Sequence, residues 1–179
     1  ADAFDKIEIA GASSMDIEIC KSKTGKNYVE YYDTDDWTSH VDVKDHVLKF
    51  TTDDKGKHKA IVSLGFGKDT AARLYLADAE YKEISVTTLS GYVTIQDVNA
   101  GTVNVSASSG DIDLESCDAE KFDITTSSGD VDMEITAGRA YRFETKTNSG
   151  AVDVPDGDAD SDYLCKIVTS SGDVDVKQK

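Results

Sequence analysis

Proline occurs once and tryptophan once in this chain of 179 residues. No run approaches the ~20 apolar residues that a membrane-spanning helix needs. Cysteine is scarce too. Cys20, Cys117 and Cys165 stand far apart and form neither a CxxC motif nor a dense disulfide framework. Arginine appears only as Arg73, Arg139 and Arg142, few for gripping an acidic polysaccharide. Basic residues number 19 against 35 acidic ones, giving a net charge of −16 and an isoelectric point near 4.4. Such a surface repels phosphate backbones and anionic headgroups, which excludes nucleic acid as a partner.

Signatures of catalysis are missing as well. No GxSxG elbow surrounds a serine, and no Walker A or GxGxxG loop occurs. His40, His46 and His58 lack HExxH spacing and a nearby cysteine pair, so they read as surface histidines and not as zinc ligands. The chain opens at Ala1 without a signal-peptide pattern, and reads as a mature or excised piece of a longer protein.

What is present is a repeat. VTTLSGYVTI, VSASSGDIDL, ITTSSGDVDM, ETKTNSGAVDV and IVTSSGDVDV align on Gly91, Gly110, Gly129, Gly150 and Gly172, spaced by 19, 19, 21 and 22 residues. That period is too short for helical repeats and suits one coil of a β-solenoid. Seven residues before each glycine stand Ile84, Val103, Phe122, Phe143 and Cys165; two after it stand Val93, Ile112, Val131, Val152 and Val174. These apolar columns alternate with polar ones at period 2, as in strands with one buried face. Each coil then supplies two short strands hinged at Ser-Gly, where glycine permits positive φ.

The expected fold is all-β: a short right-handed parallel β-solenoid with an N-terminal β segment or cap. Residues 1–80 form that segment and a degenerate first coil, with Met15 in place of the hinge glycine. Residues 81–179 form the regular coils of the same continuous domain. Stacked coils then superpose equivalent columns, with Phe122 on Phe143, and Thr126 on Thr147 on Thr169. Strands are also expected at 28–32, 40–50, 60–66 and 72–77, with turns at 33–37 and 51–58. Tyr28, Tyr31, Tyr32 and Trp37 read as core or capping aromatics, and Tyr141 and Tyr163 as occupants of equivalent corners. The C-terminal end shows no cap. Lys177 and Lys179 would discourage edge pairing there, and a monomer is expected.

Carboxylates dominate the outward columns. Asp111, Asp130 and Asp173 follow the hinge glycine, and Asp113, Asp132, Asp153 and Asp175 come two residues later. Stacked carboxylates repel by roughly 0.9 kcal/mol per pair at ~4.8 Å in water, which bound Ca²⁺ would relieve. A solvated acidic face is the plainer reading. The loop Asp156-Gly-Asp-Ala-Asp-Ser-Asp162, with Asp156, Asp158 and Asp160, is a second cation candidate. It fails as an EF-hand because its twelfth position is Ile167.

The repeated t-S-S-G-D-[VI]-D-[VILM] units, preceded by a strand of the DHVLKF type at 45–50, resemble the bacterial putative-adhesin domain family, a domain of unknown function. The resemblance covers nearly the whole chain and is strongest over 81–176. It implies a β-helix-like fold in an envelope-associated bacterial protein, and brings no catalytic residues to carry over. Ala151 and Tyr92 depart from the unit and interrupt the outer aspartate row. The function expected is a non-catalytic extracytoplasmic interaction or scaffold module, adhesin-like, binding a protein or glycan at the cell surface. The alternatives are a Ca²⁺-responsive module using the aspartate rows and a carbohydrate-active enzyme on a β-helix.

Overall fold

The computed structural model describes residues 4–11, 15–31, 33, 37–55, 71–77 and 80–179. Alternating apolar residues give strands throughout. β1 (Lys6–Ala10), β2 (Ile17–Lys21), β3 (Tyr28–Glu30), β4 (Trp37–Lys44), β5 (Val47–Asp54) and β6 (Ala72–Leu76) precede the regular repeats. β7 (Tyr81–Ser90) and β8 (Val93–Gln96) flank Gly91, β9 (Asn99–Ser109) leads to Gly110, and β10 (Ile112–Ser128) runs on to Gly129. β11 (Val131–Ile135) follows; β12 (Tyr141–Lys146) and β13 (Val152–Asp153) flank Gly150, and β14 (Tyr163–Ser171) and β15 (Val174–Gln178) flank Gly172.

The sheet curls on itself to make two faces. The first runs β4-β5-β1-β7-β9-β10-β14-β12 and the second β3-β6-β2-β8-β10-β11-β15-β13. β10 belongs to both, its register broken between Leu114 and Cys117, where Ser116 takes a φ of 52°. All pairings are parallel except β3 with β6 and β4 with β5 at one end. Inward columns from the two faces meet in one core. Ile84, Val103, Phe122 and Cys165 oppose Val93, Ile112, Val131 and Val174, all essentially inaccessible. Each such side chain contributes roughly 1.5–3 kcal/mol on burial. Among the described residues no helix is long and apolar enough to cross a membrane.

The stack does not follow chain order, which corrects the expected ladders. The last coil inserts between the third and fourth: Phe122 pairs with Cys165 and Cys165 with Phe143, while Thr126 pairs with Thr169. Phe143 and Val152 therefore sit on the outermost rung, where Val152 is 42% exposed. The first coil behaves likewise, with β1 between β5 and β7 and β2 between β6 and β8. As expected, Met15 takes a hinge position. Its carbonyl lies under Gly91 as the Gly91 carbonyl lies under Gly110.

Other expectations change at the two ends. The 40–50 segment is not one strand: Asp45 and His46, with φ of 52° and 64°, form the two-residue turn of the β4–β5 hairpin. Positive φ at both positions is what the primed hairpin turns require. Residues 51–54 continue β5 and are not a turn. The expected strand at 60–66, as well as Tyr32 and His58, lies outside the described residues. The C-terminal strand is no open edge, since β15 pairs with both β11 and β13. While β13 on the second face stays exposed, the end of the stack on the first face is covered from within the chain by the loop 155–162. There the Asp158 amide donates to the Tyr141 carbonyl at 2.9 Å, and the Ser161 hydroxyl donates to the Ala140 carbonyl.

Candidate interaction face

Register brings equivalent outward side chains into rows. On the first face the rows mix signs, and ion pairs join neighbouring rungs: Lys49 with Glu8 at 3.3 Å, Lys6 with Glu83 at 3.2 Å and Lys166 with Asp123 at 3.8 Å. The second face is different. Its central row starts with Arg73, paired to Glu18 at 2.7 Å, and then runs on without a basic residue through Thr94, Asp113, Asp132, Asp175 and Asp153. Burial first, then Glu115 and Asp132, push the Asp113 carboxyl above the usual carboxylate range. Lys177 answers Asp175 at 3.0 Å, and Lys179 pairs with Glu134, whose carboxyl it holds down.

The row beside the hinge has a structural task that the sequence did not reveal. The Asp130 amide donates to Asp111 at 2.9 Å, the Asp173 amide to Asp130 at 2.7 Å and the Ala151 amide to Asp173 at 2.7 Å. Asp16 accepts from the Tyr92 amide at 2.9 Å in the same way. Each carboxylate thus satisfies the backbone of the next rung through a charge-assisted bond. Ala151 departs from the unit because it stands on the last rung, with no further amide to accept.

The predicted cation ligands fall into three groups. Asp111, Asp130 and Asp173 are neighbours, each with one oxygen committed to an amide. Asp113, Asp132 and Asp175 are neighbours in the next row. Asp156, Asp158 and Asp160 belong to the loop over the last rung, where the Asp158 carboxylate accepts the Asp160 amide at 3.0 Å. Among the described residues no three His, Cys, Asp or Glu side chains are grouped to hold a metal ion.

Reactive groups are likewise placed structurally. Cys117 and Cys165 are buried free thiols, and burial pushes each up to about 12, far from a reactive thiolate. His40 pairs with Asp53 at 3.1 Å on the exposed hairpin. Ser128, Ser171 and Ser149 lend their carbonyls to the glycine amides of neighbouring rungs. Tyr141 and Tyr163 pair directly, as their equivalent places implied. The buried Tyr141 hydroxyl donates to the Ala119 carbonyl at 2.6 Å. Tyr28 stacks on Tyr75 with ring centroids 4.4 Å apart, and Tyr31 meets Phe50 edge-on. A cleft of about 450 Å³ brings Glu80, Lys82 and Glu120 together. Both of its carboxylates are exposed, without the apolar enclosure a glycosidase acid needs.

Stacked coils, a repeated hinge and outward rows of like residues define a repeat protein of all-β class. The chain belongs to the Toastrack DUF4097 family, whose pattern matches residues 4–179. A solved structure described as a "putative cell adhesion protein" from Clostridium sporogenes shares the fold, with a TM-score of 0.67 at 18% identity over 99% of this chain and 94% of that one. A "putative adhesin" from Bacteroides fragilis superposes more loosely, with a TM-score of 0.42 at 16% identity over 98% and 93% of the two chains. No curated protein matches the chain.

Proposed function

We propose that the chain is a non-catalytic, adhesin-like interaction module of a bacterial cell-envelope protein. It works outside the cytoplasm and presents an outward β face to a protein or glycan partner. The observation that carries this reading is the second face, where the central carboxylate row runs across successive rungs in fixed register. A rigid, repeated, predominantly acidic surface suits recognition by complementarity, whereas catalysis needs a unique enclosed constellation. The adhesion-protein description of the Clostridium sporogenes structure supports the same reading. Residues 1–80 and 81–179 act as one continuous monomeric domain, wound right-handed as parallel crossovers are.

Saturable retention of the labelled domain on immobilised envelope proteins and glycans tests this reading. Two variants are compared, one with Asp113, Asp132 and Asp175 changed to Asn, the other with Lys6, Lys49 and Lys166 changed to Gln. Retention should fall with the first set and persist with the second. Retention on no surface, or release of cleaved glycan, would overturn the reading. Protease accessibility of the domain on intact cells checks its location.

A further inference from the structure

The hinge ladder breaks once inside the stack. Asp16, Asp111, Asp130 and Asp173 each accept the amide of the following rung. Tyr92 holds the same place between the rungs of Asp16 and Asp111 and offers no carboxylate to the Asp111 amide. Unlike Ala151, it is not on a terminal rung. Tyr92 is 59% exposed.

A second departure lies across the same hinge. Leu89 is 60% exposed, where the other coils carry Ser108, Ser127, Ser170 and Asn148. One corner thus gives up a hydrogen bond and turns two large apolar side chains to water. A rung that breaks a repeated local rule without structural return is where function is expected.

The surroundings limit what can dock. Asp16 and Asp111 flank the ring from the neighbouring rungs, and each spends only one oxygen on an amide. Across the regular coils, neither the hinge columns nor the central row beside them carries a lysine or arginine. A cation held over an exposed phenol ring with carboxylates on both sides is stabilised twice. A second copy of this chain, with its net charge of −16, would bring like charge against like.

We infer that the Leu89–Tyr92 corner is the contact point for a segment of a partner protein in which arginine or lysine alternates with aliphatic side chains. This rests on the interaction-module reading and names the class of partner.

The test is a fluorescence anisotropy titration of the whole chain with two labelled synthetic peptides. One alternates Arg with Leu, the other Arg with Ser, and a neutral β-linked glucose oligomer serves as the rival ligand. The unaltered chain should bind the Arg-Leu peptide about tenfold more tightly than the Arg-Ser peptide. The double variant Leu89→Ser, Tyr92→Asn should erase that preference, weakening Arg-Leu binding more than Arg-Ser binding, which loses only its contact with the ring. Its melting temperature should hold or rise, because the asparagine carbonyl can accept the Asp111 amide. Equal preference in both chains would overturn the site, as would Tyr92-dependent binding of the glucose oligomer with none of the peptide.

Photo-crosslinking by the Arg-Leu peptide gives a readout independent of any variant. Attachment within 89–92 is expected, and attachment on the first face is incompatible with the proposal. If the double variant keeps full retention on envelope surfaces while losing nothing in peptide binding, this corner is wrong and the wider reading stands. If the unaltered chain is retained on no surface yet shows the corner-dependent preference, the wider reading falls alone.

Discussion

Each coil turns two corners, and they tolerate sequence very differently. At the Ser-Gly corner Gly91, Gly110, Gly129, Gly172 and Gly150 stack with φ between 117° and 148°. A Cβ on any of the last four would lie 2.1–2.2 Å from the carbonyl oxygen of the glycine on the adjoining rung. At the opposite corner Asp97 and Ser116 adopt φ of 53° and 52° without glycine. Gly138, at 111°, has nothing within 4 Å of where a Cβ would sit. The first corner is fixed by close backbone contact that leaves no room for a side chain, whereas the second is held by inter-rung hydrogen bonds such as that from the Asp97 amide to the Glu115 carbonyl at 3.0 Å, which leave side chains free. Length variation is absorbed accordingly. Among the five aligned repeats the spacings of 19, 19, 21 and 22 residues differ through the loops that return to the first face, while the hinge keeps one length; the β1–β2 connection, by contrast, is longer than that between β7 and β8.

The sharpest way to break this contrast is Gly129→Ala. Strain and a backbone clash together should cost on the order of 3–5 kcal/mol in urea unfolding. The matched Gly138→Ala should cost only about 1 kcal/mol, and equal losses would erase the distinction between the corners. Asp130→Ala comes next. It removes the acceptor of the Asp173 amide and should cost about 1–2 kcal/mol. Ala151→Asp, on the last rung, should gain nothing measurable.

Asp113→Asn should raise the melting temperature at pH 7 by a few degrees. Burial, Glu115 and Asp132 raise the Asp113 carboxyl, so the folded chain binds its proton more tightly than the unfolded chain. Stability then falls as pH rises from the unfolded pKa through the folded one. The gain from the substitution should vanish as pH drops toward 4; a gain of equal size at pH 4 and pH 7 would rule out this electrostatic origin. Ser116→Gly should stabilise by at most ~1 kcal/mol, relieving positive φ against added chain entropy. The smallest effect is expected from calcium: the melting temperature in millimolar Ca²⁺ should match that in EDTA, and an upward shift would favour the cation-binding reading.

Much of this was legible from residues. The alternation Ile112-Asp113-Leu114 fixes which side chains are buried, because strand parity leaves no other choice. The inward place of Cys165 and the pairing of Tyr141 with Tyr163 followed from the same count. The 45–46 turn was not read, because Asp-His is an unusual pair for two positive φ values. The aspartate row was read as surface charge because the amide each carboxylate accepts lies one rung away, outside any local window. The capping contacts of the 155–162 loop were hidden for a similar reason: the Tyr141 and Ala140 carbonyls it reaches are distant in sequence and meet it only across the last rung.

The amino-acid order alone determined that coils form, where they hinge and which columns face the core, since these depend on parity and on glycine within one repeat. Only the tertiary structure decided which coil lies on which. Every coil offers nearly the same inward columns, so Cys165 fits between Phe122 and Phe143 as readily as beyond them. Interchangeable rungs carry little local information about their order. The lone alanine after Gly150 marks the end of the stack, and its meaning is visible only once the amide that a further rung would have supplied is seen to be missing.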